Sequence, residues 1–400
     1  MKILLLNDYA TATAGAERIT LQMRDALRAR GHAVRVFASR AELIPGESFA
    51  DATCFGTNSR LQTLTSTVNV SAARALTREL RSFAPDVVQV HMFMWQLSPS
   101  ILKVLRDVPS VYWAMTYKAV CPTGLKWLPS GAPCVERAGL VCLTGGCITL
   151  PGFGPLMLQR LRWRRDRGAF DAIVCCSAAV QRELEADGIA TREVIWPGTL
   201  PHSASPPLRD PPTVTFAGRL TSDKGVDVLV RAFRAVRQRQ PDARLLIAGA
   251  GPLDGTLRAL IAQLGLTGAV ELLGQLDHEG ISGLLDVSWV HVVPSRWPEP
   301  FGLTCTEAMM HGVAVIASEI GGLTEIVQDG VTGLSVPPGN ELALTDAMAR
   351  VLSDRSLAER LGDAGRTHAR AHHSLDVSVS RFERVYDALL HPDRGNVIAG

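Results

Sequence analysis

The sequence predicts an α/β protein built from two domains, each a doubly wound sheet of parallel strands. Short apolar runs alternate with longer helical patterns along the 400 residues, which is typical of parallel α/β folds. The same order restarts after a segment with six prolines at 197–212. Because one core rarely supports a chain of this length, we expect a first domain at 1–198, a linker at 199–212 and a second domain at 213–375. A last helix, at about 376–400, is expected to pack back on the first domain.

Composition narrows the class of protein. The chain is 46% apolar and 20% charged, with a formal net charge of +2, as in an ordinary globular enzyme. It lacks the strongly basic character of a nucleic-acid-binding protein, so no nucleic acid partner is expected. The first apolar run, Ile3 to Leu6, is too short for a signal peptide or a membrane span. We therefore expect a cytoplasmic location.

The first half begins with a strand, a glycine-bearing loop and a helix. Ligands of open α/β sheets bind at the carboxyl ends of strands, where Gly15 and the end of the Pro85–His91 strand lie. A single glycine there is also the mark of an ordinary turn, and His91 has two readings, as a cleft residue or as a core histidine with satisfied hydrogen bonds. The strands predicted in this half are Lys2–Asn7, Ala33–Ala38, Pro85–His91, Ser110–Met115, Asp171–Cys176 and Glu193–Trp196.

The second half contains a basic loop after its first strand. Arg219 and Lys224 lie five residues apart, and Gly218 and Gly225 would let a ligand approach the backbone, which suits a diphosphate. The alternative is a solvated basic loop. The strands predicted here are Thr213–Ala217, Arg244–Ala248, Val270–Leu273, Trp289–Val293, Val313–Ala317 and Gly333–Val336.

The stretch from Pro294 to His311 organises the second half, because it joins a buried strand to a helix through a turn with three prolines or glycines, and it carries Glu299 and Glu307. A helix start near residue 303 would direct N–H groups and a partial positive charge at a phosphate. Carboxylates beside an anion site should face hydroxyl groups instead. Together these features indicate a nucleotide-sugar, although Glu307 alone could be a carboxylate that the helix dipole favours.

Six motifs give the chain a resemblance to the family-four retaining glycosyltransferases, formerly called glycosyl transferases group 1. They are AGAER at 14–18, DVVQVH at 86–91, AGRLTSDKG at 217–225, AGAGP at 248–252, the two glutamates of 299–307, and SEIGGLTEIVQDGVTGL at 318–334. The resemblance implies a GT-B fold, in which two doubly wound Rossmann-like domains face each other across a cleft. It implies transfer of a sugar from a UDP- or GDP-sugar to a glycan or lipid-linked acceptor, in the synthesis of cell-surface polysaccharide or glycolipid.

The resemblance also assigns roles to residues. Arg219 and Lys224 would bind the donor diphosphate and stabilise the leaving group, and Glu299 would bind hydroxyls of the donor sugar. Glu307 would take the ribose hydroxyls. Other donor-binding positions would be Gly15, Gly218, Gly251, Phe301, Gly302 and Leu303, and the acceptor-side candidates are Glu17, His91 and Tyr117. No Asp-x-Asp triplet occurs in the chain, which agrees with a site that requires no metal or other cofactor.

Three positions depart from the family pattern. Ala14 replaces a glycine of the first loop, Met115 stands where many relatives have a cleft histidine, and Ala314 replaces a common proline. The first two changes motivate an alternative from a different class, a GT-B protein that binds a nucleotide-sugar without turnover. Within the enzyme class, the alternative is another nucleotide-sugar enzyme, such as an epimerase.

Four of the eight cysteines lie in a loop rich in glycine and proline at 121–147, namely Cys121, Cys134, Cys142 and Cys147. Four thiolates would suit a structural zinc ion in a reducing compartment, and the alternative is a set of free thiols. A second feature is a basic helix at Leu156 to Gly168, with five arginines among apolar residues. It has two readings, contact with an anionic membrane or a helix packed on the first domain with a solvated arginine face.

Overall fold

The computed structural model describes residues 1–11, 15–42, 46–203 and 207–391. Contacts between residues divide the chain into two units. Unit 1 comprises Met1–Pro129, Cys134–Gly198 and Leu375–Gly400, and unit 2 comprises Ser130–Pro133 and Thr199–Ser374.

Unit 1 contains a sheet of seven strands in the order β3-β2-β1-β4-β5-β6-β7, and every pair of neighbours is parallel. Its strands are β1 (Lys2–Asn7), β2 (Ala33–Ser39), β3 (Ala52–Cys54), β4 (Val87–Val90), β5 (Ser110–Ala114), β6 (Ala172–Cys175) and β7 (Glu193–Val194). Its α-helices are α1 (Gly15–Ala29), α2 (Gln62–Thr67), α3 (Val70–Phe83), α4 (Leu102–Leu105), α5 (Leu140–Thr144), α6 (Leu150–Asp166) and α7 (Ala178–Ala186).

Unit 2 contains a sheet of six parallel strands in the order β10-β9-β8-β11-β12-β13. Its strands are β8 (Thr213–Ala217), β9 (Arg244–Ala248), β10 (Val270–Gly274), β11 (Val290–Val293), β12 (Ala314–Ser318) and β13 (Leu334–Val336). Its α-helices are α8 (Val226–Arg239), α9 (Asp254–Gln263), α10 (His278–Asp286), α11 (Leu303–Met310), α12 (Leu323–Ile326), α13 (Glu341–Ser353) and α14 (Arg355–His372), and the last helix of the chain, α15 (Leu375–Leu390), belongs to unit 1.

The two parallel sheets confirm the predicted α/β fold class. The strands are continuous apolar runs because helices cover both faces of a parallel sheet, and Ile3 to Leu6 of β1 are fully buried for this reason. Strand β3 was not predicted from the sequence, because this edge strand of three residues is too short to show a periodic pattern of apolar residues. Half of the predicted strand ends coincide with the observed ones, and the others differ by one or two residues.

The strand order of unit 2 reverses between β8 and β11. From β8 the chain continues outward through β9 and β10, and from β11 it continues outward in the other direction through β12 and β13. The loops that leave the carboxyl ends of β8 and β11 therefore diverge and open a crevice. Open α/β sheets bind their ligands at such a point.

The described part of the proline-rich segment lies along unit 2. The Thr199 N–H donates to the carbonyl of His373 at 2.8 Å, and the Thr199 and Thr306 hydroxyl oxygens are 2.7 Å apart. Further along, the Trp289 indole donates to the carbonyl of Arg209 at 2.7 Å. This segment is thus fixed to unit 2 at several points along its length.

Helix α15 is held in unit 1 by polar and aromatic contacts. Arg30 forms an ion pair with Glu383, and the Tyr386 hydroxyl donates to the side-chain carbonyl of Gln89. The rings of Trp113 and Phe382 meet edge to face with 4.8 Å between centroids. Residues 392–400, which the predicted last helix included, lie outside the described residues.

Candidate functional site

The strongest candidate site lies in the loops at the switch point of unit 2. Lys224, in the loop after β8, donates from Nζ to Oε1 of Glu299, in the loop after β11, at 2.6 Å. Both side chains are largely buried, with 18% and 10% of their surface exposed. The Lys224 ammonium also lies 4.7 Å from the centre of the Trp297 ring. The fold therefore joins a cation and a carboxylate that are 75 residues apart in sequence.

Arg219 differs from Lys224 in its surroundings. Its side chain is 60% exposed, and Nη2 lies 3.7 Å from a carboxylate oxygen of Asp223. An exposed pair at this distance contributes little to stability, so the guanidinium can turn toward a ligand at small cost. Arg219 is thus an exposed cation in the same loop as the largely buried Lys224.

The glycines of these loops allow backbone to approach backbone. Gly225 has a φ of +66°, and a Cβ atom there would lie 2.0 Å from the carbonyl oxygen of Pro294. A Cβ on Gly251 would lie 2.5 Å from the carbonyl oxygen of Leu220. From the sequence we predicted that glycines in this region let a ligand approach the backbone. In the structure, the missing side chains at Gly225 and Gly251 instead leave room for the backbone of neighbouring loops. Gly218 is less restricted, since its Cβ would meet the Phe216 ring at 3.2 Å.

The loop that carries Glu299 ends at Gly302, which precedes α11 with a φ of +135°. The turn after β12, which contains Gly321 and Gly322, supports this loop, because the Gly322 N–H donates to the carbonyl of Glu299 at 2.7 Å. Phe301 is 4% exposed, and its ring meets the His373 ring edge to face. Leu303 begins α11, so the N-terminal end of this helix follows the loop at the carboxyl end of β11. Glu307 lies in the second turn of α11 and is half-buried.

Unit 1 contains a second group of buried polar side chains at the carboxyl end of β1. Asp8 accepts from the backbone N–H groups of Trp95, Gln96 and Leu97 at 2.7–2.8 Å. Burial nevertheless raises the pKa of the Asp8 carboxyl to about 6. The sequence analysis did not single out Asp8, because an aspartate after a strand is also typical of a turn.

Glu17, in the first turn of α1, is 1% exposed, and neither carboxylate oxygen has a hydrogen-bond partner among the described residues. Burial raises its pKa to about 7, and negative charge on Asp8 adds to the effect. The Asn7 amide lies near enough to offset part of this rise, although its geometry makes no hydrogen bond. Gly15 begins α1, and Ala14 lies outside the described residues.

His91 is a core histidine, one of the two readings that the sequence left open. It is 1% exposed, and burial lowers its pKa to about 3. Its Nε2 lies 2.8 Å from the Gln89 amide nitrogen and its Nδ1 lies 2.7 Å from the Thr20 hydroxyl. The Tyr386 hydroxyl occupies the Gln89 carbonyl and the Thr20 hydroxyl donates to Ala16, so the contacts fit a neutral ring with its proton on Nδ1. Tyr117 is likewise buried, at 1% exposure.

The four loop cysteines are free thiols, and among the described residues no three of them bring their sulfur atoms close enough together to hold a metal ion. Burial raises the pKa of the Cys147 thiol, and the charges of Cys142, Cys134 and Cys121 raise it further. The Lys126 N–H donates to the Cys121 sulfur at 3.4 Å, and the Lys126 carbonyl accepts from the Cys134 N–H at 2.8 Å. Backbone hydrogen bonds thus bring the first two cysteines of the loop together.

Helices α2 and α6 of unit 1 present leucines to solvent. The Gln159 amide of α6 donates to the carbonyl of Ser66 in α2, so the two helices pack side by side. Leu158 and Leu161 are 44% and 64% exposed on α6, and Leu61 and Leu64 beside and in α2 are 58% and 56% exposed. Helix α6 begins six residues earlier than the predicted basic helix, because Pro151 favours its first turn.

The arginines of α6 have different surroundings. Arg160 is paired with the buried Asp187 at 2.7 Å, whereas Arg162 and Arg164 have no ion-pair partner among the described residues. Among the helices that the structure describes, none is both long and apolar enough to cross a bilayer.

Comparison with known proteins identifies the family of both halves. Residues 13–201 match the model of Glycosyltransferase Family 4, and residues 202–368 match that of Glycosyl transferases group 1. The alpha-D-kanosaminyltransferase of Streptomyces kanamyceticus is 31% identical over 45% of this chain and 46% of its own length. A glycogen synthase of Mycobacterium tuberculosis is 32% identical over 56% of both chains. The chain thus aligns with about half the length of these curated relatives.

Solved structures resemble the whole chain. Sucrose-phosphate synthase from Thermosynechococcus elongatus aligns with a TM-score of 0.73 and 22% identity, over 98% of this chain and 100% of its own. HepE from Anabaena, in complex with UDP and glucose, aligns with a TM-score of 0.69 and 18% identity, over 97% and 100%. At these identities the likeness shows the fold, which is that of GT-B glycosyltransferases.

The structure generates a prediction for Glu17 that is independent of ligands. A carboxyl group whose pKa is raised by folding favours the folded state most below its unfolded pKa, and this contribution is lost as the pH rises through about 7. Replacing Glu17 with Gln removes the ionisation. The free energy of unfolding of the variant, relative to the parent, should therefore rise between pH 5 and pH 8 by on the order of 3 kcal/mol.

Urea unfolding across this pH range measures the difference. Glu359→Gln, at an exposed glutamate of α14, serves as the control and should show no such rise. A constant difference between Glu17→Gln and the parent from pH 5 to pH 8 would contradict the raised pKa.

The two family models, which together match residues 13–368, and the shared fold lead to one conclusion: the chain belongs to the family-four, group 1 glycosyltransferases.

Proposed function

We propose that this protein is a retaining glycosyltransferase that moves a sugar from a UDP- or GDP-sugar to a glycan or lipid-linked acceptor. The observation that carries the proposal is the Lys224–Glu299 contact of 2.6 Å at the switch point of unit 2. A donor of this class needs a cation for its diphosphate and a hydrogen-bond acceptor for its sugar hydroxyls in one place. The complex of HepE with UDP and glucose supports a donor of this kind.

The proposed roles follow from charge and position. Lys224 and Arg219 bind the diphosphate, and their positive charge stabilises the negative charge that develops as the nucleotide leaves. Glu299 accepts hydrogen bonds from the donor sugar. The backbone at Phe301, Gly302 and Leu303 directs the start of α11 at the phosphates, and the helix dipole adds to the attraction.

Because Lys224 and Glu299 are paired in the free protein, the donor diphosphate must engage Lys224 before the donor sugar can engage Glu299. In the free protein each satisfies the charge of the other, which keeps two largely buried ions from being left unpaired. An arriving diphosphate competes for the ammonium, and the sugar hydroxyls then donate to the released carboxylate. The same donor thus satisfies both groups, and a ligand with phosphate alone would leave Glu299 without a partner.

Three further parts of the function are proposed. Glu307 binds the ribose hydroxyls, one helical turn beyond Leu303. For the acceptor we propose contacts with unit 1, where Glu17 and Tyr117 are the candidates; each side chain is 1% exposed, so an acceptor reaches them only after the surrounding side chains move. Charge stabilisation by lysine, arginine and helix dipole makes a catalytic metal unnecessary.

Replacement of Lys224 and Glu307 tests the roles separately. Lys224→Ala should lower kcat by about 10² to 10³, since it removes a group that stabilises developing charge. Glu307→Ala should mainly weaken nucleotide binding, by roughly tenfold or more, because it removes hydrogen bonds to a charged acceptor. Sugar transfer and nucleotide titration measure the two effects.

The controls are Arg258→Ala and Glu359→Ala, which remove exposed charged side chains on α9 and α14. Full activity in both Lys224→Ala and Glu307→Ala would refute the site. Nucleotide-sugar binding by the parent with no product from any acceptor would favour the binding protein without turnover.

We also propose that the leucine face of α2 and α6 rests on an anionic membrane, which would bring the enzyme to a lipid-linked acceptor. The exposed leucines would enter the interface while Arg162 and Arg164 meet lipid phosphates. Leu158→Ser with Leu161→Ser should lower binding to vesicles containing phosphatidylglycerol by roughly tenfold, because two apolar side chains no longer leave water.

Vesicle sedimentation at low and high salt measures this binding. Leu342→Ser is the matched control, since Leu342 is 69% exposed on α13 of unit 2. Equal binding by the parent and the double variant, or no binding by the parent, would exclude the proposed surface.

The cysteine loop is proposed to hold a structural zinc ion. The presence of four cysteines within residues 121–147 supports this. The ion would have to draw their sulfur atoms together, because the described residues do not place three of them close enough to share one. Protein purified under reducing conditions should contain one more equivalent of zinc than a variant in which the four cysteines are replaced with serine. Less than about half an equivalent of zinc in the parent would refute the proposal.

A further inference from the structure

A second group of metal-ligating side chains lies in unit 2, formed by three residues from separate segments. His202 comes from the proline-rich segment, Asp286 ends α10, and His311 follows α11. One ligand atom from each lies within 4.8 Å of the others. The His311 Nδ1 is 2.8 Å from Oδ1 of Asp286, and the His202 Nε2 is 3.6 Å from the same oxygen. We propose that His202, Asp286 and His311 bind a divalent transition metal ion of the zinc class.

The chemistry of the three groups matches that class of ion. Two imidazole nitrogens and one carboxylate oxygen are the donors that zinc and its neighbours in the first transition row prefer, whereas magnesium and calcium take oxygen ligands. The single negative charge of Asp286 balances half of the charge of the ion. Three protein ligands leave a coordination position for water or for a fourth group.

The two imidazole rings define the movement that binding requires. The rings of His202 and His311 are stacked, with centroids 3.7 Å apart and 17° between their planes. A metal lies close to the plane of each imidazole that binds it, so two stacked rings cannot share one ion and the His202 ring must turn. Its side chain is 26% exposed and has room to do so.

The backbone of His202 is held while its side chain turns. Arg366 and Arg370 of α14 donate to the His202 carbonyl oxygen at 3.1 Å and 2.8 Å. The metal-binding side chain of His202 therefore extends from a backbone that is held by hydrogen bonds, and the rearrangement is confined to that side chain. This is a smaller entropic cost than ordering a free loop.

The metal would connect the proline-rich segment to the end of the helix that begins in the donor site. Helix α11 runs from Leu303 to Met310, a length of about 12 Å, and His311 caps its far end. The proposed metal is therefore separate from Lys224 and Glu299 and has a structural role. The inference stands whether or not the proposed function is correct.

Zinc titration against a chromophoric chelator tests the site without an activity assay. The reduced parent protein should bind one more equivalent of zinc than either Asp286→Asn or His311→Gln. His391→Gln, at an exposed histidine just after α15, is the matched control and should bind as the parent does. A variant in which the four loop cysteines are serine should retain this equivalent, which separates the two zinc proposals.

Thermal unfolding provides the second readout, because zinc that binds the folded state raises Tm. Zinc should raise Tm in the cysteine variant and should not do so when Asp286→Asn is added to it. The midpoints without zinc show that the variants are folded. Zinc binding that is unchanged by Asp286→Asn and His311→Gln, or that is lost only with the cysteines, would overturn the proposal.

Discussion

The contact between Lys224 and Glu299 is the interaction on which the candidate site depends. Two ions that are mostly removed from water must be paired, so the loops after β8 and β11 must be held at a fixed distance from each other. The glycines allow this close approach. At Gly225 a side chain would collide with the Pro294 carbonyl, and the Gly322 N–H fixes the Glu299 carbonyl from the other side. The chemistry of the site thus follows from how closely three loops can pack.

This arrangement explains why lysine and glutamate suit the site. The ammonium is a compact charge that can exchange one oxygen partner for another, from carboxylate to phosphate. The carboxylate is then free for sugar hydroxyls. Exposed Arg219 adds charge without being committed to a buried partner. Under the proposed function, a donor that carries both diphosphate and sugar would satisfy every one of these groups.

Much of this fold could be predicted from the sequence, because buried parallel strands are continuous apolar runs and their loops carry glycine and proline. The residues proposed for the donor site could be singled out for a related reason, since each follows a strand at the edge of the sheet where open α/β folds bind ligands, and their roles stay predictions. The direct Lys224–Glu299 contact was not, because sequence spacing gives no distance between separate loops. The role of the glycines also differs from the predicted one, since close approaches between separate loops can be seen only in the three-dimensional structure.

Other features depend on tertiary contacts alone. His91 could be a cleft residue or a core residue until its partners Gln89 and Thr20 were known. The raised pKa values of Glu17 and Asp8 follow from burial, which depends on tertiary packing and not on the local sequence. The group formed by His202, Asp286 and His311 has no sequence signature, because its members come from three segments.

A thermal-shift panel of UDP, GDP, ADP and CDP, with and without magnesium, tests the proposed donor site in unit 2 most directly. One nucleotide at about a hundred times its dissociation constant should add roughly 2.7 kcal/mol to stability, which raises Tm by several degrees. We expect UDP or GDP to do so without magnesium. No shift with any of the four nucleotides would contradict the account.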